Sequence, residues 1–69
     1  SKMFQHQRDV LNAQLKELQH TLKMVEYKCW YYETAKAAGS ISVPKNMRDD
    51  ELPEEFRAIR QELKNAPIG

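Results

Sequence analysis

Apolar side chains recur at steps of three or four residues through the first half of the chain. The series is Phe4, Leu11, Leu15, Leu18, Leu22, Val25, Cys29 and Tyr32, with Arg8 interrupting it. Such steps put the side chains on one side of an α-helix, as in a coiled-coil seam sustained over about four heptads. The pattern predicts one long dimerisation helix over residues 1–38. We call these eight residues and Arg8 the seam stripe.

The end of this helix and the segment after it are marked by residue type. Gly39 suits a left-handed cap at the end of a helix. Residues 39–51 have no clear period and are interpreted as a linker loop. Ile41 and Val43 alternate with serines, and a residue before a proline, here Pro44, favours extended backbone. A short extended piece is therefore expected inside the linker.

A second, shorter helix is predicted over residues 52–66. Its apolar residues fall on one face and are Leu52, Phe56, Ile59 and Leu63. Pro53 fits the first turn of this helix. A helix this short is not stable alone in water, so it must pack on something. We expect it to cover the second face of the long helix, which carries Met24, Tyr27, Trp30 and Tyr31. Packing on its own chain or on a partner's remains open.

Composition favours a small helical protein that associates. With 69 residues, the chain forms at most one small domain, and such domains often need a disulfide, a metal or a partner. Cys29 is the only cysteine, which excludes an internal disulfide and a multi-cysteine zinc site. Eleven basic and ten acidic residues are interspersed, so nothing indicates nucleic-acid or membrane binding by this segment. The absence of a long apolar run or an apolar N-terminal signal makes the cytoplasm the expected location.

Basic residues in and after the seam stripe indicate which way a second copy runs. In a parallel dimer Arg8 and Lys36 would each stack on their own copy, and like charges inside a core are costly. In an antiparallel dimer centred near His20, Arg8 faces Tyr32 and Lys36 faces Phe4. We therefore predict an all-α helical hairpin that forms an antiparallel coiled-coil homodimer through the seam stripe.

Little in the sequence indicates catalysis. No set of nucleophile, base and orienting residue is recognisable, and no glycine-rich phosphate loop is present. His6 and His20 lie about 20 Å apart along one helix, so they do not share a metal ion. We expect no enzyme activity, no metal and no cofactor. The aromatic set Tyr27, Trp30, Tyr31 and Phe56 is the candidate effector pocket, although packing in a core is the more common role of such a set.

The stretch from Leu15 to Gly39 resembles the dimerisation helix of MerR-family transcriptional regulators. The resemblance rests on the leucine-rich rhythm, the block Tyr27-Lys28-x-Trp30-Tyr31-Tyr32-Glu33 and the small-residue end at Ala37-Ala38-Gly39. It covers roughly the first 40 residues. It implies the C-terminal part of a bacterial regulator whose N-terminal winged helix-turn-helix lies outside this sequence. The implied partners are a second copy, promoter DNA through that missing domain and a small-molecule effector, with no membrane contact.

The same family resemblance implies a mechanism and restricts the branch. The dimer would hold two DNA-binding domains at a set spacing, and an effector would change their orientation. Metal-sensing branches use cysteines in the loop after the dimer helix, and residues 39–50 contain none. The alternative function is a coiled-coil adaptor or scaffold segment that pairs with a different protein.

Overall fold

The computed structural model describes residues 1–66, and in this range the predicted all-α class is confirmed. Three α-helices follow one another, α1 at Lys2–Ala38, α2 at Ser42–Lys45 and α3 at Arg57–Asn65. Two 3-10 turns, Asp49–Glu51 and Glu54–Phe56, join α2 to α3. None of the described helices combines the length and the apolar character needed to cross a lipid bilayer.

The long helix ends as its sequence predicts. Gly39 has φ 79° and ψ 7°, the left-handed conformation that glycine adopts without steric cost. The backbone N–H of Gly39 donates to the carbonyl of Lys36 at 3.3 Å, and the N–H of Ser40 donates to the carbonyl of Ala35 at 3.1 Å. Together they satisfy carbonyls that the last turn leaves without helical partners. The chain reverses direction at this point.

The prediction of an extended piece around Ile41 and Val43 is wrong. Ile41 has φ −66° and ψ −20°, and Ser42–Lys45 form the single turn of α2. Pro44 is tolerated because a residue in the first helical turn needs no backbone donor. The hydroxyl of Ser40 accepts the backbone N–H of Ser42 at 3.1 Å and so starts the turn. Pro44 itself is fully buried, so packing overrides the local preference before a proline.

The second helix begins later than the sequence predicts. Leu52 has ψ 153° and Pro53 has ψ 135°, so both are extended rather than helical. A 3-10 turn over Glu54–Phe56 precedes α3, which starts at Arg57. The apolar periodicity nevertheless survives, because Leu52, Phe56 and Ile59 all reach the interior and each is no more than 4% exposed.

The core lies between the C-terminal half of α1 and the segment that folds back over it. Its buried members are Tyr27, Leu52, Phe56 and Ile59, and the half-buried residues packed on them are Met24, Trp30, Tyr31, Met47 and Leu63. The second helix thus packs on its own chain. All residues from Ser1 to Leu22 are exposed, and the first of them to contact α3 through a polar group is His20, so the N-terminal half of α1 extends beyond the hairpin.

Two isoleucines provide a test of where the core lies. Ile59→Ala removes a side chain that is 3% exposed, and we expect a loss of about 2–5 kcal/mol in the free energy of unfolding. Ile41→Ala, at a position 52% exposed, should change it by less than about 0.5 kcal/mol. Urea unfolding followed by Trp30 fluorescence at one protein concentration measures both. Equal losses would contradict this assignment of the core.

Candidate functional site

The seam stripe is uncovered along its whole length. Its large apolar side chains are 50–67% exposed, with Leu18 highest and Val25 lowest. Cys29 is also exposed, and the side chain of Arg8 is 66% exposed. An apolar surface this long and continuous is unusual on a protein that works as a monomer and is typical of an interaction site.

The stripe and the hairpin occupy opposite sides of α1. Residues two apart on a helix differ by about 200° around its axis, so Val25 and Cys29 point away from Tyr27. Tyr27 is 7% exposed beneath the returning chain, whereas Val25 is 50% exposed. The hairpin therefore leaves the stripe clear. An open hollow of about 340 Å³ lies beside Leu11 of the stripe and is otherwise lined by His6, Gln7, Val10 and Gln14.

The predicted effector residues lie together in one aromatic cluster. The ring of Tyr27 is 5.9 Å from Trp30, 5.9 Å from Tyr31 and 5.8 Å from Phe56, measured between ring centroids. Trp30 and Phe56 are 5.7 Å apart. Tyr27 and Phe56 are buried, and Trp30 and Tyr31 are half-buried. Centroid distances in this range are those of well-packed aromatic pairs, so these four side chains contribute to holding the hairpin closed.

A groove opens at one side of this cluster, and the sequence pattern did not predict it. It has a volume of about 230 Å³ and is lined by Tyr27, Tyr31, Lys45, Arg60, Leu63 and Lys64. Trp30 and Phe56 are not among the lining residues. The sequence did contain a signal for part of this groove. Arg60, Leu63 and Lys64 follow Phe56 by four, seven and eight residues, which puts them on the same helical face. We call this surface the basic groove.

Arg60 fastens α3 to α2. It is 4% exposed, and its guanidinium donates to the carbonyl oxygens of Pro44 at 2.9 Å and Lys45 at 2.6 Å. Buried donors must find acceptors, and α2 supplies them in its last turn, where the carbonyl of Pro44 also accepts the backbone N–H of Met47 at 3.3 Å. No carboxylate among residues 1–66 forms an ion pair with Arg60.

The hydroxyl of Tyr27 lies next to Arg60 in this interior. Burial raises the pKa of Tyr27 above its ordinary value of 10.0, because the phenolate would lose hydration. The positive charge of Arg60 and a hydrogen bond from it act in the opposite direction but are weaker. Tyr27 is therefore a neutral phenol near neutral pH.

Two polar contacts join the edges of the hairpin. His20 has Nε2 2.8 Å from the Glu62 carboxylate. The ammonium of Lys23 lies 3.9 Å from the Glu55 carboxylate and 6.0 Å from the centre of the Phe56 ring. All four side chains are at least 40% exposed, so each contact contributes only about 0–1 kcal/mol. Aromatic packing and Arg60 dominate the closure of the hairpin.

The two surfaces meet through one aromatic pair. Tyr31 lines the basic groove, Tyr32 belongs to the seam stripe, and their ring centroids are 5.3 Å apart. A change in the position of the Tyr31 ring would therefore alter its contact with Tyr32 in the seam stripe.

Comparison of this chain with protein-family models, with curated proteins and with solved structures finds no match.

Arg60 and Arg57 make a matched pair of variants on α3. Arg60→Met keeps the apolar stem but removes both hydrogen bonds from α3 to α2, so the carbonyl of Lys45 loses the guanidinium as its donor while the carbonyl of Pro44 keeps the N–H of Met47 at 3.3 Å. We expect unfolding free energy to fall by about 1–3 kcal/mol. Arg57→Met, on the exposed side of the same helix, should change it by less than about 0.5 kcal/mol. Urea denaturation of both proteins measures the difference, and similar values would contradict a fastening role for Arg60.

The buried phenol predicts a loss of stability in alkali. The folded state holds the Tyr27 proton more tightly than the unfolded chain, whose pKa stays near 10.0. Stability from this residue is thus complete below pH 10 and is lost as the pH rises from there through the raised folded pKa. Tyr27→Phe should flatten this decline in unfolding free energy, measured in urea at a series of alkaline pH values. An unchanged slope would show that other groups cause the alkaline loss.

Proposed function

We propose that this chain is the homodimerisation and effector-sensing domain of a bacterial MerR-like transcriptional regulator, working in the cytoplasm with a winged helix-turn-helix domain that lies outside this sequence. The observation that supports it best is the uncovered seam stripe on the side of α1 opposite the hairpin. Its role is non-enzymatic. It sets the separation and angle of two DNA-binding domains.

A second copy is the partner that matches the stripe in length and chemistry. At 1.5 Å per residue, α1 is about 55 Å long, and a partner must be a helix of similar length to cover it. Among the elements of residues 1–66, only α1 has that length, since α3 has nine residues and is already packed in the hairpin. An isolated helical half such as 1–22 is marginal in water, so pairing also explains why it forms.

Antiparallel pairing fits the charges on the exposed surface. Centred near His20, it puts Leu18 against Leu22 and Leu11 against Cys29 of the other copy. Arg8, whose guanidinium lies 3.4 Å from the exposed carboxylate of its neighbour Asp9, then faces a tyrosine instead of its own copy. This arrangement avoids stacking two arginines in one layer of the core, which costs desolvation without an opposite charge to offset it.

Support for a regulator comes from the combination of seam and hairpin. The aromatic block Tyr27–Tyr32 serves both surfaces, with Tyr27 in the hairpin core and Tyr32 in the seam stripe. Packed side chains that contact both sites can carry coupling between effector binding and a dimer interface. The Tyr31–Tyr32 pair supplies such a contact at 5.3 Å.

The proposal predicts that one charge in the stripe abolishes self-association. Leu18→Asp would bury carboxylates near the dimer centre, which costs several kcal/mol without partners. We expect sedimentation to show a monomer with reduced helicity by circular dichroism. Ala13→Asp makes a comparable change in helix propensity on an exposed position away from the stripe, and it should remain a dimer. A Leu18→Asp dimer would contradict the assignment of the stripe.

Direction is tested by disulfide trapping with the native Cys29. In the antiparallel dimer Leu11→Cys should crosslink rapidly to Cys29 of the other copy, because facing seam residues lie within disulfide reach. Ala13→Cys, off the stripe, should not. If Cys29 crosslinks only to Cys29 of the other copy, the dimer assignment stands but its helices are parallel. If the wild-type protein is a monomer, the stripe binds a different partner, which favours the coiled-coil adaptor.

A further inference from the structure

The basic groove concentrates positive charge in a chain that is almost neutral overall. Lys45 comes from the end of α2, and Arg60 and Lys64 come from α3. No acidic residue is among those that line the groove in the described chain, although the full sequence has ten acidic and eleven basic residues. Within residues 1–66, none of these three cations forms an ion pair. An anion in the groove would meet three attractive charges and no opposing one.

The walls of the groove are suited to a flat apolar body. Tyr27 and Tyr31 line one side, and Leu63 contributes an apolar surface. Tyrosine rings favour offset or edge contacts with another aromatic ring. A volume of about 230 Å³ is enough for a single-ring compound and too small for a nucleotide or a drug-sized molecule.

The cations differ in what they can do for a ligand. Arg60 is fixed in the interior by the carbonyls of Pro44 and Lys45, so it supplies a stationary positive charge beneath the groove. Lys45 and Lys64 are exposed, and their ammonium groups are free to move toward a bound anion. The arrangement is a preorganised charge with two adjustable donors at the rim.

We propose that the basic groove binds a small aromatic carboxylate, with the ring against Tyr27 and Tyr31 and the carboxylate between Lys45 and Lys64. This proposal assigns a chemical class to the effector, and only the ligand's role as an effector rests on the proposed function. The groove itself is built within one chain, so binding does not require the dimer. A ring seated against Tyr31 also contacts the residue that touches Tyr32 of the seam stripe.

Benzoate is the probe for the first experiment, with benzyl alcohol as the uncharged ring and acetate as the anion without a ring. Backbone amide shifts of the full chain are followed by NMR at constant ionic strength. For a ligand of this size we expect a dissociation constant on the order of 1 mM. Saturable shifts should centre on the amides of Tyr31, Lys45 and Lys64. Both comparison compounds should bind at least about threefold more weakly, because each lacks one of the two contacts.

Three lysine variants identify the contacts. Lys45→Gln and Lys64→Gln should each weaken benzoate binding by about threefold or more, since each removes one charge from the rim. Lys16→Gln removes the same charge from the exposed N-terminal half of α1 and should leave binding unchanged. The absence of saturable shifts, or equal affinity in all three variants, would overturn the proposal.

Sedimentation of the same samples separates this proposal from the previous one. A dimer that does not bind benzoate overturns the ligand assignment and leaves dimerisation in place. A monomer that binds benzoate overturns dimerisation and leaves the groove in place.

Discussion

The structure depends on a single helix that is apolar on two opposite faces. On one side of α1 the chain's own hairpin covers Tyr27 and its aromatic neighbours, and on the other the seam stripe stays bare. A helix with two apolar faces requires two neighbours, and this chain supplies only one. The fold is therefore complete in its C-terminal half and open along the stripe. In the proposed dimer the second copy supplies the missing neighbour.

Closure of the hairpin depends on a few contacts that replace a larger core. A chain of this size buries little surface, and in the described part only four apolar residues form the buried cluster. Arg60 adds a polar fastening, because its guanidinium holds α3 to the carbonyls of α2. The same placement leaves a positive charge beneath the basic groove. One side chain thus stabilises the fold and defines the electrostatics of its candidate ligand site.

Periodic features could be predicted from the sequence, whereas features made by distant contacts could not. The extent of α1 and its cap at Gly39 follow from regular spacing and from glycine's conformational freedom. The turn of α2 around Pro44 escaped prediction because it depends on distant contacts, among them the hydrogen bond from Arg60, sixteen residues away. The basic groove was missed for the same reason, since Lys45 reaches Lys64 only after the chain has folded back. The aromatic cluster and its cover by the returning chain were predicted, but not which two of its members, Tyr27 and Phe56, are buried.

The bare N-terminal half of α1 has a consequence for the lifetime of a single chain. Residues 1–19 are all exposed and form no hydrogen bond or ion pair with the returning chain among the described residues, so local unwinding there costs little free energy. Proteases cut segments that open in this way, while the hairpin beyond them stays closed. In the proposed dimer, pairing would protect this half and an unpaired copy would be degraded first. The uncovered helix would then be a degradation signal that dimerisation conceals.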